Sequence, residues 1–384
     1  MDADPLLAWR KSFPILGRCA YLLTHSLGAM HESVPASLTE FTGLWQERGA
    51  CAWEEAWLPR VRQTADAIGG LLGAPAGSVT LHQNVTSLLG IVASCLTYPP
   101  ERNRVVFPSP DFSTLRYVWT GQERFGAAPV PVGSRDGIGI ETADMIAAID
   151  ERTRLVALSH VLFKSSYLMD VPAIVRRARE VGALVLLDVY QSAGTVPLDL
   201  GALGVDFAVG GAVKWLCGGP GACYLYVKPD LSATLEPAQR GWFSHARPFA
   251  FEEGFSYAEG ASRFMGGSPG VPALYSCRPG LEAVRSVGVD RIRRKSLRQT
   301  ERIIRRAKEH GLAVRTPLDP ERRGGTVTIA CPDGDRVTRE MIEAGVMVDH
   351  RPGAGIRIGP HFYTMDAECD RAVDEVARRS GRGT

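Results

Sequence analysis

The chain has 384 residues, a formal net charge of +2 and 45% hydrophobic residues. This composition is that of a globular protein with one large domain and one or two smaller ones, and it excludes a disordered or highly charged chain. The near-neutral charge gives no reason to expect nucleic acid or an acidic membrane as a partner. Arginines are frequent from Arg291 to Lys308, but apolar residues such as Ile292 and Ile303 alternate with them. We therefore interpret this stretch as a long helix with a solvated basic face.

The eight cysteines are scattered and form no CxxC pair. The sequence thus predicts neither a disulfide framework nor a metal site, and reduced thiols are expected. Residues 1–14 carry several charges and lack the apolar core of a signal peptide. No apolar run approaches the length that spans a bilayer. We expect a cytoplasmic protein without a membrane partner.

The middle of the chain alternates short apolar runs with amphipathic stretches. We predict a helix at Val171–Gly182, because Ile174, Ala178 and Val181 share one face. The predicted strands are Arg104–Pro108, Leu155–Val161, Ala183–Asp188, Asp206–Gly210 and Ala222–Val227. This alternation predicts the α/β class, with a mostly parallel central sheet and helices on both faces.

After Pro279 the pattern changes. A long basic helix leads into the predicted elements Thr326–Cys331 (strand), Arg336–Ala344 (helix), Val346–Asp349 and Ile356–Ile358 (strands) and Asp366–Arg379 (helix). We predict three parts from this change. Residues 61–279 form a large domain, residues 280–384 form a small α+β domain, and residues 1–60 form a segment that packs with the small domain.

An acidic residue, Asp188, ends one of the apolar runs. Open α/β sheets place their ligands at the carboxyl ends of their strands. A carboxylate there can keep a pyridine nitrogen protonated, which makes the ring of bound pyridoxal phosphate (PLP) an effective electron sink. Taken alone, an acid at this place more often caps the following turn.

A lysine stands at the end of another apolar run. Lys214 lies between the predicted strand Asp206–Gly210 and a Gly-Gly-Pro-Gly turn at 218–221. Lysine is rarely buried without a reason, and a desolvated lysine becomes a nucleophile toward an aldehyde. Small residues beside it would let a cofactor approach the backbone. The alternative is an exposed lysine in a turn.

The two elements together resemble a known family. Asp188–Gly221 is similar to the cofactor segment of class V aminotransferase-type enzymes: an acid, two residues, Gln or His, Ser-Ala-Gly, then Asp-Phe and a lysine before Gly-Gly-Pro-Gly. The resemblance implies the PLP-dependent transferase fold, called fold type I. It also implies that Lys214 carries PLP as a Schiff base and that Asp188 faces the pyridine nitrogen.

Within that superfamily most of the chain resembles kynureninase. Tyr21–Gly28 is similar to Tyr-Leu-x-x-Asn-Ser-Leu-Gly, and Gly241–His245 is similar to Gly-Trp-(Trp/Phe)-Gly-His. Arg263–Ser268 resembles a segment that ends in Gly-Thr. Arg357–Tyr363 resembles Arg-x-x-Pro-x-x-x-Tyr with a slip of one residue. Each of these motifs alone is moderately specific for the family. Their occurrence together and in the same order makes the resemblance strong.

The resemblance implies roles for residues that contact the cofactor. Val85 and Thr86 precede an apolar helix, so backbone N–H groups and the Thr86 hydroxyl can hold the phosphate at the helix N-terminus. Phe112 matches the aromatic residue that stacks on the cofactor ring. Gln191 can donate to the phenolic oxygen, where kynureninases carry His and cysteine desulfurases carry Gln. Taken alone, these would be a helix cap and a core phenylalanine.

Other roles concern the substrate and a second subunit. Trp242 and Ser268 match residues that the family supplies across a homodimer interface to the phosphate, which implies shared active sites. Arg357 matches the arginine that binds the α-carboxylate of an amino-acid substrate as a bidentate fork. His25 and Ser26 belong to the motif that we assign to the substrate side. For Arg357 the alternative is an ordinary surface salt bridge.

The chain also departs from the kynureninase pattern. Val213 replaces the tyrosine before the lysine, and Leu115 replaces an acid after the phenylalanine. His25 replaces an asparagine, and Ser165-Ser166 replaces Thr-Gly. These changes leave the Schiff-base residues intact and put the substrate in question.

We therefore expect a homodimeric PLP enzyme that acts on a small α-amino acid. The first choice is hydrolytic Cβ–Cγ cleavage of kynurenine or a related aryl amino acid. The alternatives are an aminotransferase, a β-eliminating lyase, a cysteine desulfurase and a PLP-binding protein without catalysis. A desulfurase needs a mobile cysteine, and Cys331 belongs to a predicted strand. A PLP-binding regulator would need a helix-turn-helix that the short N-terminal segment does not supply.

Overall fold

The computed structural model of the protein describes residues 4–381. The first three residues of the predicted segment 1–60 and the last three of the predicted domain 280–384 lie outside this range. The strands are β1 (Ala20–Tyr21), β2 (Val79–His82), β3 (Arg104–Pro108), β4 (Ala128–Val132), β5 (Thr153–Ser159), β6 (Leu184–Asp188), β7 (Phe207–Gly211), β8 (Cys223–Val227), β9 (Val327–Ile329), β10 (Val346–Met347), β11 (Asp349–Arg351) and β12 (Gly355–Ile358). The helices are α1 (Val34–Arg48), α2 (Leu58–Leu71), α3 (Val85–Ser94), α4 (Ser113–Gly121), α5 (Thr142–Ala148), α6 (Val171–Glu180), α7 (Leu200–Leu203), α8 (Pro229–Ser232), α9 (Val271–Val287), α10 (Val289–Glu309), α11 (Gly334–Glu343) and α12 (Asp366–Arg379).

The large sheet confirms the predicted α/β class. Its strand order within the described residues is β2-β8-β7-β6-β5-β3-β4. Strands β7, β6, β5, β3 and β4 pair in parallel, and β8 runs antiparallel to both of its neighbours. The parallel pairing of β5 with β6 places Ser159 opposite Asp188 at the carboxyl end of the sheet. The predicted strand Leu155–Val161 thus ends two residues early, where the chain leaves the ladder.

Alternate residues of each central strand point to opposite faces of the sheet. Val185 and Leu187 of β6 belong to one core, whereas Leu186 belongs to the core on the other face. All three are buried. Both faces are therefore covered by helices, which explains why this strand reads as a continuous apolar run.

A second, three-stranded sheet has the order β11-β12-β9. We predicted one strand at Val346–Asp349, and this was wrong, because the segment divides into β10 and β11. Strand β10 pairs in parallel with β1, while β11 pairs antiparallel with β12. The division turns Asp349 toward Arg357, its partner across the β11–β12 pair.

The domain boundaries remain predictions. Pro279 lies inside helix α9, and the break in the helical path comes at Gly288 between α9 and α10. The N-terminal segment meets the C-terminal part through the β1–β10 pair and through an ion pair of Arg10 with Glu368. Helix α1 packs instead against α9.

We had expected the basic face of α10 to be solvated, but part of it forms ion pairs with α12. Arg302 binds Asp370 with two bonds of 2.6 and 2.5 Å, and Arg306 binds Asp374 with bonds of 2.7 and 3.0 Å. These acids lie one turn apart on α12, so a row of ion pairs joins the two helices. Among the described helices, none is both long and apolar enough to cross a membrane.

Candidate active site

A cavity of about 230 Å³ opens at the carboxyl end of the large sheet. It lies beside the ends of β5, β6 and β7 and the start of α3, as expected for an open α/β sheet. The residues that line it are Val85, Thr86, Phe112, Thr114, Ser159, Phe163, Asp188, Tyr190, Gln191 and Lys214. The structure thus brings together six of the residues that the sequence singled out for the cofactor.

Asp188 is the last residue of β6 and is buried. One carboxylate oxygen accepts a hydrogen bond of 2.8 Å from the N–H of Tyr190. Burial raises the pKa of Asp188, the charge of Asp111 raises it further, and Lys214 opposes the shift. An acid in this environment gains by facing a cationic ring nitrogen, because such a partner neutralises its buried charge.

Lys214 follows β7 and reaches the same cavity. Burial lowers the pKa of its amine, Asp188 opposes the shift, and Arg357 and Arg351 add to it. The amine is therefore deprotonated more easily than a solvated lysine, which suits attack on an aldehyde. The small residues before Lys214 do not serve as we had expected, because the side chains of Tyr224 and Tyr190 fill the space beside Gly210 and Gly211.

The amide of Gln191 is fixed by two hydrogen bonds. Its oxygen accepts a bond of 3.1 Å from the indole N–H of Trp215, and its nitrogen donates a bond of 3.0 Å to the carbonyl of His25. The amide nitrogen keeps a second N–H, which it can donate to a ligand.

The N-terminus of α3 forms one end of the cavity. The Asn84 side chain accepts a hydrogen bond of 2.9 Å from the N–H of Ser87, as an N-cap residue does. Thr86 is exposed to the cavity, so its hydroxyl and the helix terminus present donors suited to a phosphate.

Two phenylalanines stand over the cavity. Phe112 and Phe163 meet edge to face with their ring centroids 5.2 Å apart. The Nζ atom of Lys214 lies 5.7 Å from the centroid of the Phe112 ring. Phe112 is 42% exposed, which is unusual for a core phenylalanine and consistent with a ring that contacts a ligand.

Arg357 is buried and held by three hydrogen bonds. Its Nε and Nη2 donate to the two oxygens of Asp349 at 2.8 and 2.6 Å, and its Nη1 donates to the carbonyl of Phe163 at 2.8 Å. These bonds use three of the five N–H groups of a guanidinium. One N–H therefore remains on each of Nη1 and Nη2, and N–H groups of a guanidinium are the donors that bind a carboxylate.

His25 stands behind this ion pair. Its Nε2 lies 3.1 Å from an oxygen of Asp349 and donates to it, since a carboxylate only accepts. Burial, with the charge of Arg357, lowers the pKa of His25 to about 4, so the ring is neutral at pH 7. Burial alone would raise the pKa of Asp349, but hydrogen bonds from His25 and Arg357 hold it well below its usual range. The cluster therefore keeps a fixed charge at neutral pH.

Five predicted residues do not line this cavity within one chain: Arg357 and His25, described above, and Ser26, Trp242 and Ser268. Ser26 forms a turn in which its N–H donates to the carbonyl of Leu23 at 2.9 Å. Trp242 packs against Phe243, with the ring centroids 4.3 Å apart. Ser268 is exposed, and its carbonyl accepts from the Gln83 amide at 3.3 Å.

The structure adds residues that the sequence reasoning missed. Asp111 is buried and accepts hydrogen bonds from the N–H of Phe112 at 2.6 Å and of Ser159 at 2.7 Å, and also from the Ser159 hydroxyl. It thereby fixes Phe112 above the cavity. Tyr190 and Asp349 were missed as well. For Tyr190 the available signal was its neighbour Gln191, whereas Asp349 meets Arg357 only through the pairing of β11 with β12.

The donor set of the cavity fits PLP. Lys214 offers an amine for the aldehyde, Asp188 offers a carboxylate for the ring nitrogen, and Gln191 offers an N–H for the phenolic oxygen. Thr86 and the N-terminus of α3 offer donors for the phosphate. Each chemical group of the cofactor would thus find a side chain or helix end of matching chemistry in this site.

Comparison with known proteins identifies the family. Residues 47–380 match the model of the family described as aminotransferase class-V. The chain belongs to this family. Kynureninase of Pseudomonas fluorescens is 30% identical over the whole of this chain and 95% of its own length. The protein is thus a kynureninase-like member of the class V aminotransferases and a PLP-dependent enzyme.

Solved structures confirm the fold. The apo structure of a cysteine desulfurase from Thermococcus onnurineus NA1 covers 99% of both chains with a TM-score of 0.87 at 18% identity. A lysine mutant of C-DES, solved with glycine covalently linked to its PLP cofactor, covers 96% of this chain and 98% of its own with a TM-score of 0.88 at 21% identity. The fold is therefore that of the fold-type-I PLP enzymes.

Proposed function

We propose that the enzyme hydrolyses the Cβ–Cγ bond of kynurenine or a related aryl-substituted amino acid. The main support is that Arg357 donates a hydrogen bond to the carbonyl of Phe163, a residue that lines the Lys214 cavity, and keeps one N–H on each of Nη1 and Nη2. Its charge also lowers the pKa of the Lys214 amine. One amino acid could thus meet both residues through its α-carboxylate and its α-carbon. The identity with kynureninase over the full chain supports the choice of reaction.

The residues of the cavity would divide the work as follows. PLP, when bound, supplies the electron sink that such a cleavage needs. Asp188 holds a proton at the ring nitrogen, and Gln191 donates to the phenolic oxygen. Lys214, as an amine with a lowered pKa, removes the proton from the α-carbon and returns a proton to the product. Water adds to the γ-carbonyl, the Cβ–Cγ bond breaks, and a carboxylic acid and alanine are released.

Arg357 would select the substrate by its α-carboxylate. The side chain cannot turn away, because Asp349 holds one edge of the guanidinium and the Phe163 carbonyl holds Nη1. His25 and Ser26 complete this side of the site, His25 through its hydrogen bond to Asp349. Preorganisation of this kind lowers the entropy that binding must overcome.

We further propose a homodimer with shared sites in the cytoplasm. Among the described residues that line the cavity, Lys214 is the one lysine or arginine, so a phosphate would gain from donors of a second chain. Trp242 and Ser268, which lie outside the cavity of their own chain, are the residues that we assign to the neighbouring site. Within residues 4–381 no cysteine is part of a disulfide, which is the state expected in a reducing compartment.

Gln191 favours one other function, since cysteine desulfurases carry glutamine at this position. A desulfurase requires a nucleophilic cysteine on a mobile, polar loop. Cys331 is 7% exposed and lies two residues after the end of the buried strand β9. Sulfur removal is therefore the second candidate.

A substrate panel tests the proposal. The purified PLP-loaded protein is incubated with L-kynurenine, 3-hydroxykynurenine, L-cysteine and L-aspartate, and the products are identified by mass. We expect alanine together with an aromatic carboxylic acid from one or both kynurenines. Alanine from cysteine with transfer of sulfur, and none from the kynurenines, would reject the hydrolysis in favour of the second candidate.

Subunit mixing tests the shared sites. Lys214→Ala should be inactive, and a Trp242→Ala/Ser268→Ala double variant should be strongly impaired. In the mixed dimer one site combines the intact halves of both chains, so part of the activity should return. No recovery after verified subunit exchange would contradict shared sites.

A further inference from the structure

Tyr190 lies between the two residues that define the cofactor site in sequence, Asp188 and Gln191. Its N–H donates to the Asp188 carboxylate at 2.8 Å, and its side chain lines the cavity. The Nζ atom of Lys214 lies 4.4 Å from the centroid of the Tyr190 ring, closer than to the Phe112 ring at 5.7 Å. The Lys214 amine thus stands beside two aromatic rings that come from different strand ends.

Neighbouring residues fix the position of the Tyr190 ring. A Cβ atom on Gly211 would overlap the Tyr190 hydroxyl, so the glycine at the end of β7 admits the ring. The hydroxyl oxygen lies 3.7 Å from the Cys223 sulfur on β8. Burial, with the neighbouring Cys223, raises the pKa of the Tyr190 phenol, which stays neutral. The ring is therefore held at one place beneath the strand ends.

We propose that Tyr190 is a second aromatic wall of the PLP site, which packs against the cofactor ring and, with Phe112, holds it between two aromatic side chains. The inference rests on the proposed attachment of PLP to Lys214. Tyr190, Lys214 and Asp188 line the same cavity, and the Tyr190 ring lies beside Nζ of Lys214, so a ring attached to Nζ within this cavity would lie next to the Tyr190 ring. Stacked aromatic rings at such positions add affinity beyond the area that they bury.

Two substitutions distinguish the contribution of the aromatic ring of Tyr190 from that of its hydroxyl. Tyr190→Phe keeps the face and removes the contact with Cys223, whereas Tyr190→Leu keeps an apolar side chain and removes the aromatic face. Dissociation constants for PLP are measured by titrating each apo-protein and following the visible absorption and circular dichroism of the bound cofactor. We expect about 3- to 10-fold weaker binding and altered visible circular dichroism for Tyr190→Leu. For Tyr190→Phe we expect a change below about 3-fold.

Further variants keep the test decisive. In Gly211→Ala the added methyl group would displace the Tyr190 ring from its position. This variant should weaken PLP binding even if Tyr190→Leu fails to fold. Tyr226→Leu removes a buried tyrosine of β8 that does not line the cavity, and it should lower thermal stability without changing PLP affinity. A Tyr190→Leu protein with the affinity and circular dichroism of the wild type would overturn the proposal. Equal weakening in Tyr190→Phe and Tyr190→Leu would also overturn it, since the hydroxyl would then be the group that acts.

Wild-type protein and Lys214→Ala, measured alongside, distinguish this inference from the proposed attachment. If the wild type shows no visible band that depends on Lys214, the attachment is wrong and the inference fails with it. If the wild type shows this band and Tyr190→Leu shows it unchanged, the inference alone is wrong.

Discussion

The two ends of the candidate active site, the cofactor cavity and the cluster around Arg357, are built in different ways. The cofactor end takes Asp188, Gln191 and Lys214 from one stretch of chain, where neighbouring parallel strands finish at the same edge. The carboxylate end joins Arg357 and Asp349 of the small sheet to His25 from the N-terminal segment and to the Phe163 carbonyl. The first end is local in sequence, and the second is assembled from three distant segments.

The two ends of the site also differ in their electrostatics. At the cofactor end, burial raises the pKa of Asp188 and lowers that of Lys214, so both groups are held away from their ordinary states. At the carboxylate end, Asp349 and Arg357 neutralise each other, and His25 is uncharged. The first end is thus suited to covalent and proton chemistry, and the second to binding in one fixed orientation.

The largest expected effect is at Asp188. In Asp188→Asn the side chain keeps its shape but loses the charge that holds a proton at the ring nitrogen. Turnover should fall by about 10²-fold or more, as when one preorganised electrostatic group is removed from a site. Steady-state rates with the best substrate of the panel measure this.

Asp206→Asn is the matched control for this change. Asp206 accepts a hydrogen bond of 2.8 Å from the N–H of Val185 away from the cavity. Its replacement should lower stability and leave turnover close to that of the wild type. Equal turnover in Asp188→Asn and the wild type would show that the end of β6 does not face the cofactor.

A smaller effect is expected at Arg357. Lysine keeps the charge but lacks the planar fork, and hydrogen bonds to charged groups are worth about 1.5–3 kcal/mol. Arg357→Lys should therefore weaken amino-acid binding by about ten- to a hundredfold, measured by titrating the absorption band of the bound cofactor. Ligands without the carboxylate should bind equally to both forms.

Arg351 provides the control at the same carboxylate. Its Nη2 lies 2.9 Å from Asp349, but its side chain is 39% exposed. Arg351→Lys should change the affinity by less than about 1 kcal/mol, as exposed ion pairs do. If Arg351→Lys weakens binding more than Arg357→Lys, the substrate carboxylate binds at Arg351.

The smallest expected effect concerns His25 and pH. Burial lowers its pKa from 6.5 to about 4. Between these pH values His25 is therefore protonated in the unfolded chain and mostly neutral in the folded protein. His25 therefore costs no stability above pH 6.5 and destabilises the fold as the pH falls toward 4. At pH 5 the loss is about 2 kcal/mol. In His25→Asn the urea unfolding free energy should depend less on pH over this window, and curves that run parallel to the wild type would contradict the account.

The comparison explains what could be predicted from the sequence. The large sheet and the cofactor end follow from local patterns, because strand ends, a cap such as Asn84 and the lysine before Gly-Gly-Pro-Gly each carry a signal within a few residues. The pairing of Arg357 with Asp349 could not be predicted from local patterns, since it depends on β11 separating from β10 and pairing with β12. The position of Tyr190 depends on the missing side chain at Gly211, which is distant in sequence.

The basic helix α10 shows the same limit. Its amphipathic pattern predicted the helix but not the partners of its arginines. Arg302 and Arg306 find their acids on α12, more than sixty residues later in the chain. Periodicity shows which residues share a face, and tertiary packing decides what that face meets.

The central claim is that this cavity holds PLP covalently on Lys214, and mapping the attachment site tests it most directly. The PLP-loaded protein is reduced with borohydride, digested, and searched by mass for the lysine that carries the pyridoxyl group. The account predicts the label on the peptide that contains Lys214 and no label at this position in Lys214→Ala. A label on any other lysine of the wild-type protein, with Lys214 unmodified, would contradict it.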